Sequence, residues 1–101
     1  MPKLSFVIFM KKLLWWIIAG TKGGVNRARI IESIHQRPYN AHQLSEKLDL
    51  DYKTVRHHIK VLEQNRIISS SGEKYGTMYF LSPQMEESYD IFEDIWGQMK
   101  E

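Results

Sequence analysis

Apolar residues recur at helical spacing through most of this chain, and the period changes to that of strands only between Asn65 and Leu81. The stretch from Leu4 to Ala19, interrupted by Lys11 and Lys12, predicts a first helix within 1–20 that stops at Gly20, Gly23 and Gly24. A second helix is predicted from Val25 to Gln36, with Asn26 as its N-cap and Ala28, Ile31, Ile34 and His35 at helical spacing; Arg37-Pro38 ends it. Asn40 followed by Gln43 reads as a capping box, and Leu44 and Leu48 give the short helix behind it a buried face. Asp49-Leu50 is a tight connection, Asp51 is positioned to cap the next helix, and Val55, Ile59 and Leu62 form one apolar stripe along it. Two short helices joined so briefly must cross steeply, which is the geometry of a helix-turn-helix.

After Asn65, Ile67-Ile68 and the β-prone run Thr77 to Leu81 flank a polar, glycine-punctuated loop, a β-hairpin in the position of a wing. Asn65 is the expected left-handed residue at the junction. Ser82-Pro83 then opens one final helix, whose Met85, Tyr89, Phe92, Trp96 and Met99 are spaced 4, 3, 4, 3, a seam that calls for a partner helix. The expected fold is mostly α with a small β-hairpin: a winged helix-turn-helix with extra N- and C-terminal helices. It is read as one domain over 1–101, with a tri-helical core at 24–65, the helix-turn-helix at 41–64, the hairpin at 66–81 and a C-terminal dimerisation helix at 83–100.

The length of 101 residues fits one core and leaves little room for a second function. Cysteine is absent, which excludes disulfides and thiolate metal sites and fits a reducing, cytoplasmic interior. The net charge of +2 hides a split: residues 1–81 hold 13 of the 14 Lys and Arg but 6 of the 12 acids, giving +7, while residues 82–101 carry −5. A basic body attracts a polyanion, and an acidic tail belongs on another face. Lys11 and Lys12 cut the first apolar stretch into runs far short of the ~20 residues that span a bilayer. They also split the apolar region of a would-be signal peptide, so a packed or dimerising helix is expected and no membrane partner.

If Val55, Ile59 and Leu62 face inward, then Tyr52, Lys53, Thr54, Arg56, His57 and Lys60 face outward. Arginine can bind a guanine edge through two hydrogen bonds, threonine and tyrosine reach bases or phosphates, and lysine neutralises phosphate, so this ridge suits the major groove of duplex DNA. Arg66, Lys74 and Tyr75 at the hairpin suit phosphate or minor-groove contact. His57 and His58 are adjacent and diverge by about 100° on a helix, unsuited to one metal, and His58 beside the apolar stripe is expected to pack inward. No glycine-rich phosphate loop, activated nucleophile or catalytic acid pair is visible, so no enzyme and no cofactor are expected. Trp15 and Trp16 point to different sides of a helix, one expected in the core and one on a partner; with Met85, Tyr89, Phe92, Trp96 and Met99 they form the expected interface of a homodimer.

The run Leu44-Ser45-Glu46-Lys47-Leu48-Asp49-Leu50-Asp51-Tyr52-Lys53-Thr54-Val55-Arg56-His57-His58-Ile59-Lys60-Val61-Leu62-Glu63 resembles the bracing helix, turn and recognition helix of ArsR-like winged helix-turn-helix regulators, particularly their small archaeal members. The resemblance covers about residues 13 to 82. It implies a homodimer on a near-palindromic DNA operator, with Lys53, Thr54, Arg56, His57 and Lys60 at DNA-reading positions. Metal-sensing members use cysteine motifs or Asp and His pairs, and this chain has no cysteine and no histidine in its last helix, so a metal is not expected. An effector ligand is left open, and a protein-interaction module without a specific DNA target is the alternative reading of the same fold.

Overall fold

The structure is a computed structural model that describes residues 3–73 and 75–100. Helix α1 (Leu4–Leu14) continues into a π-helical turn (Trp15–Ala19), closed by Gly20 N–H donating to Trp15 O at 2.8 Å. Met10, Leu14, Ile17 and Ile18 form one buried stripe along it. Trp15 and Trp16 flank that stripe on its two outer sides and are 52% and 56% exposed, so the expectation that one tryptophan enters the core is corrected: residues 100° apart both clear a stripe this narrow.

The chain then turns through Gly23, whose φ of 88° favours glycine, into α2 (Gly24–Gln36), bent by 117° from the first helical segment. The cap is Gly23 rather than Asn26, which lies inside the first turn and accepts from Arg29 Nη1 at 3.1 Å. A Cβ on Gly24 would lie 2.0 Å from the Ile18 carbonyl oxygen, so glycine sets how closely α2 meets the π turn.

Helix α3 (Ala41–Leu48) begins with the expected capping box: Gln43 N–H donates to Asn40 Oδ1 at 2.8 Å and Asn40 N–H to Gln43 Oε1 at 2.9 Å. Asp49 takes a left-handed φ of 54°, and Arg29 Nη2 donates to the Leu48 carbonyl at 2.8 Å, pinning the turn to α2. Helix α4 (Tyr52–Gln64) starts on Asp51, whose carboxylate accepts from the Lys53 and Thr54 amides. Val55, Ile59 and Leu62 are buried to 1% exposure or less, as their spacing requires.

At the end of α4 the left-handed residue is Arg66, φ 57°, and not Asn65, whose φ is −98°. Asn65 instead turns its side-chain amide back to Val61 O at 2.8 Å, which closes the helix without αL geometry at that residue. Strands β1 (Ile68–Ser70) and β2 (Tyr79–Leu81) pair antiparallel, Ile68 with Leu81 and Ser70 with Tyr79, and a further bridge joins Tyr79 to Tyr39 ahead of α3.

The C-terminal segment is two helices, α5 (Pro83–Glu87) and α6 (Tyr89–Lys100), broken at Ser88. The break redirects the expected seam into the chain's own core. Met85 and Phe92 are fully buried and Trp96 is 8% exposed, with α6 packed on α1 and the π turn. Their expected place in a homodimer interface is therefore corrected, since α1 supplies the partner helix that the spacing called for. Trp96 Nε1 donates to Glu32 at 3.3 Å, and Tyr89 stacks on His35 at 3.5 Å. Tyr89 and Met99 remain half-buried.

Candidate nucleic-acid interface

Burial of one face of α4 dictates what the other presents. Lys53, Arg56, His57 and Lys60 are exposed, and Tyr52 is 40% exposed; Thr54 is half-buried, its amide engaged by the Asp51 cap. Among the described residues none of Lys53, Arg56 and Lys60 is paired with a carboxylate; the ion pairs found, His35–Glu86 and Lys100–Glu32, lie on the α2 and C-terminal side.

Between the start of α3, α4 and the wing lies a polar cleft of about 360 Å³, lined by Asn40, His42, Tyr52, Arg56, Thr77 and Tyr79 together with Ala41, Tyr75 and Gly76. Among the described residues no acid lines it. His42 stacks on Tyr52 with ring centroids 4.4 Å apart, which orders the phenol at the cleft mouth. Arg56 Nη1 donates to the Tyr79 hydroxyl at 2.7 Å, linking the recognition helix to the wing. Nearby, the Tyr39 ring lies beneath the Arg37 guanidinium at 4.3 Å and the Lys47 ammonium at 5.1 Å. These contacts, Arg37's hydrogen bond first, lower the Tyr39 phenol from its ordinary value against the opposing effect of burial.

The structure thus brings Tyr52, Arg56 and Tyr75 to one cleft, beside Lys53, His57 and Lys60 on the same helix. Tyr75 is 81% exposed on the wing. Lys74 lies outside the described residues. Arg66 does not join them: it sits at the far end of α4 and lines separate clefts with Glu63, Pro83 and Gln84 and with Phe9 and Leu13. Its carbonyl accepts from Ser82 Oγ at 2.7 Å and Gln84 Nε2 at 3.2 Å, so its left-handed backbone serves the wing-to-α5 junction.

Sequence reasoning missed His42, Asn40 and Tyr79. The first two sit where the cap of α3 faces the cleft, a position that the capping box already marked. Tyr79 carried no local signal, because its partner Arg56 is 23 residues away.

Behind the ridge, His58 points inward and is 5% exposed, as expected. Arg27 Nη1 approaches His58 Nδ1 at 3.4 Å, while its other donors reach Ile17 O at 2.8 Å and Thr21 Oγ1. Burial, then the charge of Arg27, then that of His57, hold the His58 ring below its ordinary pKa. Among the described residues no group of three or more His, Asp or Glu stands together to hold a metal.

Residues 24–70, from α2 through β1, match the family model of the bacterial regulatory proteins of the arsR family. The chain has a winged helix-turn-helix fold, and over those residues it is similar to the arsR family. Solved structures agree with this chain in fold. Reduced HlyU from Vibrio cholerae superposes with a TM-score of 0.66 at 15% identity, over 87% of this chain and 90% of that one. The transcriptional regulator SlyA gives 0.64 at 14% identity, over 95% and 72%. MarR from Staphylococcus aureus, in complex with salicylate and kanamycin, gives 0.61 at 23% identity, over 95% and 69%. No curated protein matches the chain.

Proposed function

We propose that this chain is a sequence-specific, double-stranded DNA-binding transcriptional regulator that acts in the cytoplasm as a homodimer, with α4 in the major groove and the wing on backbone or minor groove. The observation that carries this reading is the division of α4 into a buried face, Val55, Ile59 and Leu62, and an exposed one holding Lys53, Arg56, His57 and Lys60. A cationic helix face of this width fits the major groove and not the minor one.

Support for the homodimer comes from α1. Together with the π turn it leaves Leu4, Ile8, Phe9, Trp15 and Trp16 between 45% and 74% exposed, and large apolar side chains left outward in this number mark an interface. A two-fold pairing through that face buries it in one closed step and repeats α4 at about one DNA turn, roughly 34 Å. In this reading the dimer contacts are Trp15 and Trp16 with the α1 surface, not the buried Met85, Phe92 and Trp96.

Fluorescence anisotropy with labelled fragments of the source genome tests the reading. Binding that weakens steeply with added salt and favours a subset of fragments is expected. Absence of binding at low salt, or equal affinity for every fragment, would overturn it.

A further inference from the structure

We infer that Tyr79 is a positioning residue for base recognition: by accepting a hydrogen bond from the Arg56 guanidinium it holds that side chain at the cleft between α4 and the wing, and base selectivity depends on the pair. The inference rests on the DNA-binding reading above and names the regulation of its specificity.

Tyr79 is built as a fixed point. Its backbone pairs with Ser70 in the hairpin and exchanges two hydrogen bonds with Tyr39, N–H to carbonyl oxygen at 3.3 and 2.8 Å, so the wing and the loop before α3 both hold it. Its side chain is turned inward, 4% exposed, whereas Phe80 beside it is 38% exposed, the alternation a strand imposes. A ring so deeply packed could be phenylalanine for core purposes alone. What the hydroxyl adds is the 2.7 Å contact to Arg56 Nη1, directed from the core toward the exposed ridge.

Arg56 is the fifth residue of α4, within the N-terminal half of the helix that approaches base edges in this kind of docking. An untethered arginine loses much rotamer freedom when it docks, and a guanidinium already fixed loses less. The tether uses one of five N–H donors. The edge formed by Nε and Nη2 stays available for a two-bond contact with a base, and among the described residues no acid lines the cleft to compete for it. Because Tyr79 belongs to the wing, seating the wing on the DNA backbone and aiming Arg56 become one event.

Selection of bound duplexes from a random pool, run with the full chain, Tyr79→Phe, Arg56→Ala and the double variant, tests the inference. The base position whose preference disappears in Arg56→Ala is expected to lose about tenfold of its preference in Tyr79→Phe. The salt dependence of binding should be unchanged, and the double variant no worse than Arg56→Ala. In the free protein, the Arg56 Nε–H is expected to be as ordered as the backbone by NMR relaxation and to loosen in Tyr79→Phe. Preserved preference in Tyr79→Phe, uniform weakening at all sequences, or an Arg56 Nε–H as mobile in the starting protein as in the variant each overturns the positioning role while leaving DNA binding intact. A starting protein with no base preference removes the operator reading and this inference with it.

Discussion

At the scale of single residues, the pair Arg27 and His58 sets the electrostatics behind the recognition helix. An arginine guanidinium only donates, so the 3.4 Å contact to His58 Nδ1 is a hydrogen bond only when the ring is neutral with its proton on Nε2. Protonation would set two cations against each other in a buried site. The folded protein therefore holds His58 below its ordinary value of 6.5, whereas the unfolded chain takes the proton at that value. Stability from this site is complete above about pH 6.5 and is lost as pH falls through the lowered folded value. Melting temperature should fall as pH is brought from about 7.5 to about 5, and His58→Gln should flatten that fall. An equal slope in the variant would assign the acid sensitivity elsewhere. His58's inward position was legible in the sequence beside Val55 and Ile59, but its partner was not, because Arg27 lies 31 residues away.

At the scale of elements, the junction of the π turn with α2 and the middle of α6 make opposite demands on glycine. Gly24→Ala drives a methyl group into the Ile18 carbonyl and should cost at least ~2 kcal/mol in chemical denaturation. Gly97→Ala, with nothing within 4 Å of the added carbon, should stabilise α6 by about 0.5–1 kcal/mol. A null result at both would contradict the packing at the junction. The helix-turn-helix was legible because each helix carries its own cap and stripe: Asn40 with Gln43, Asp51, and Val55, Ile59 and Leu62 are all local signals. The break at Ser88 was not. The spacing of Met85, Tyr89, Phe92 and Trp96 suits either one helix on a partner or two helices folded onto α1, and only the three-dimensional packing decides between them.

At the scale of the whole molecule, the charge split and the apolar face of α1 point outward in different ways. The cationic ridge of α4 suits a nucleic acid, and the exposed Trp15 and Trp16 suit a second copy of the chain. Among the described residues no single helix is long and apolar enough to cross a membrane, although the bent pair Leu4–Ala19 and Gly24–Gln36 passes that test jointly by length and composition. Much of that pair is core here, Met10, Leu14, Ile17, Ile18, Ile30 and Ile31 included. Trp15→Glu with Trp16→Glu should shift sedimentation from dimer to monomer and weaken operator binding at least tenfold, since half-sites then bind singly. A variant that stays dimeric would place the interface on another face.

The most direct test of the recognition face is a map of backbone amide shifts as duplex DNA is added to the labelled protein. Perturbation concentrated on Tyr52 to Lys60, the α3 cap at Asn40 to His42, and the wing around Tyr75 to Thr77 is the predicted result. Perturbation confined to the outer face of α1 or to α6, with the α4 ridge unmoved, would contradict it.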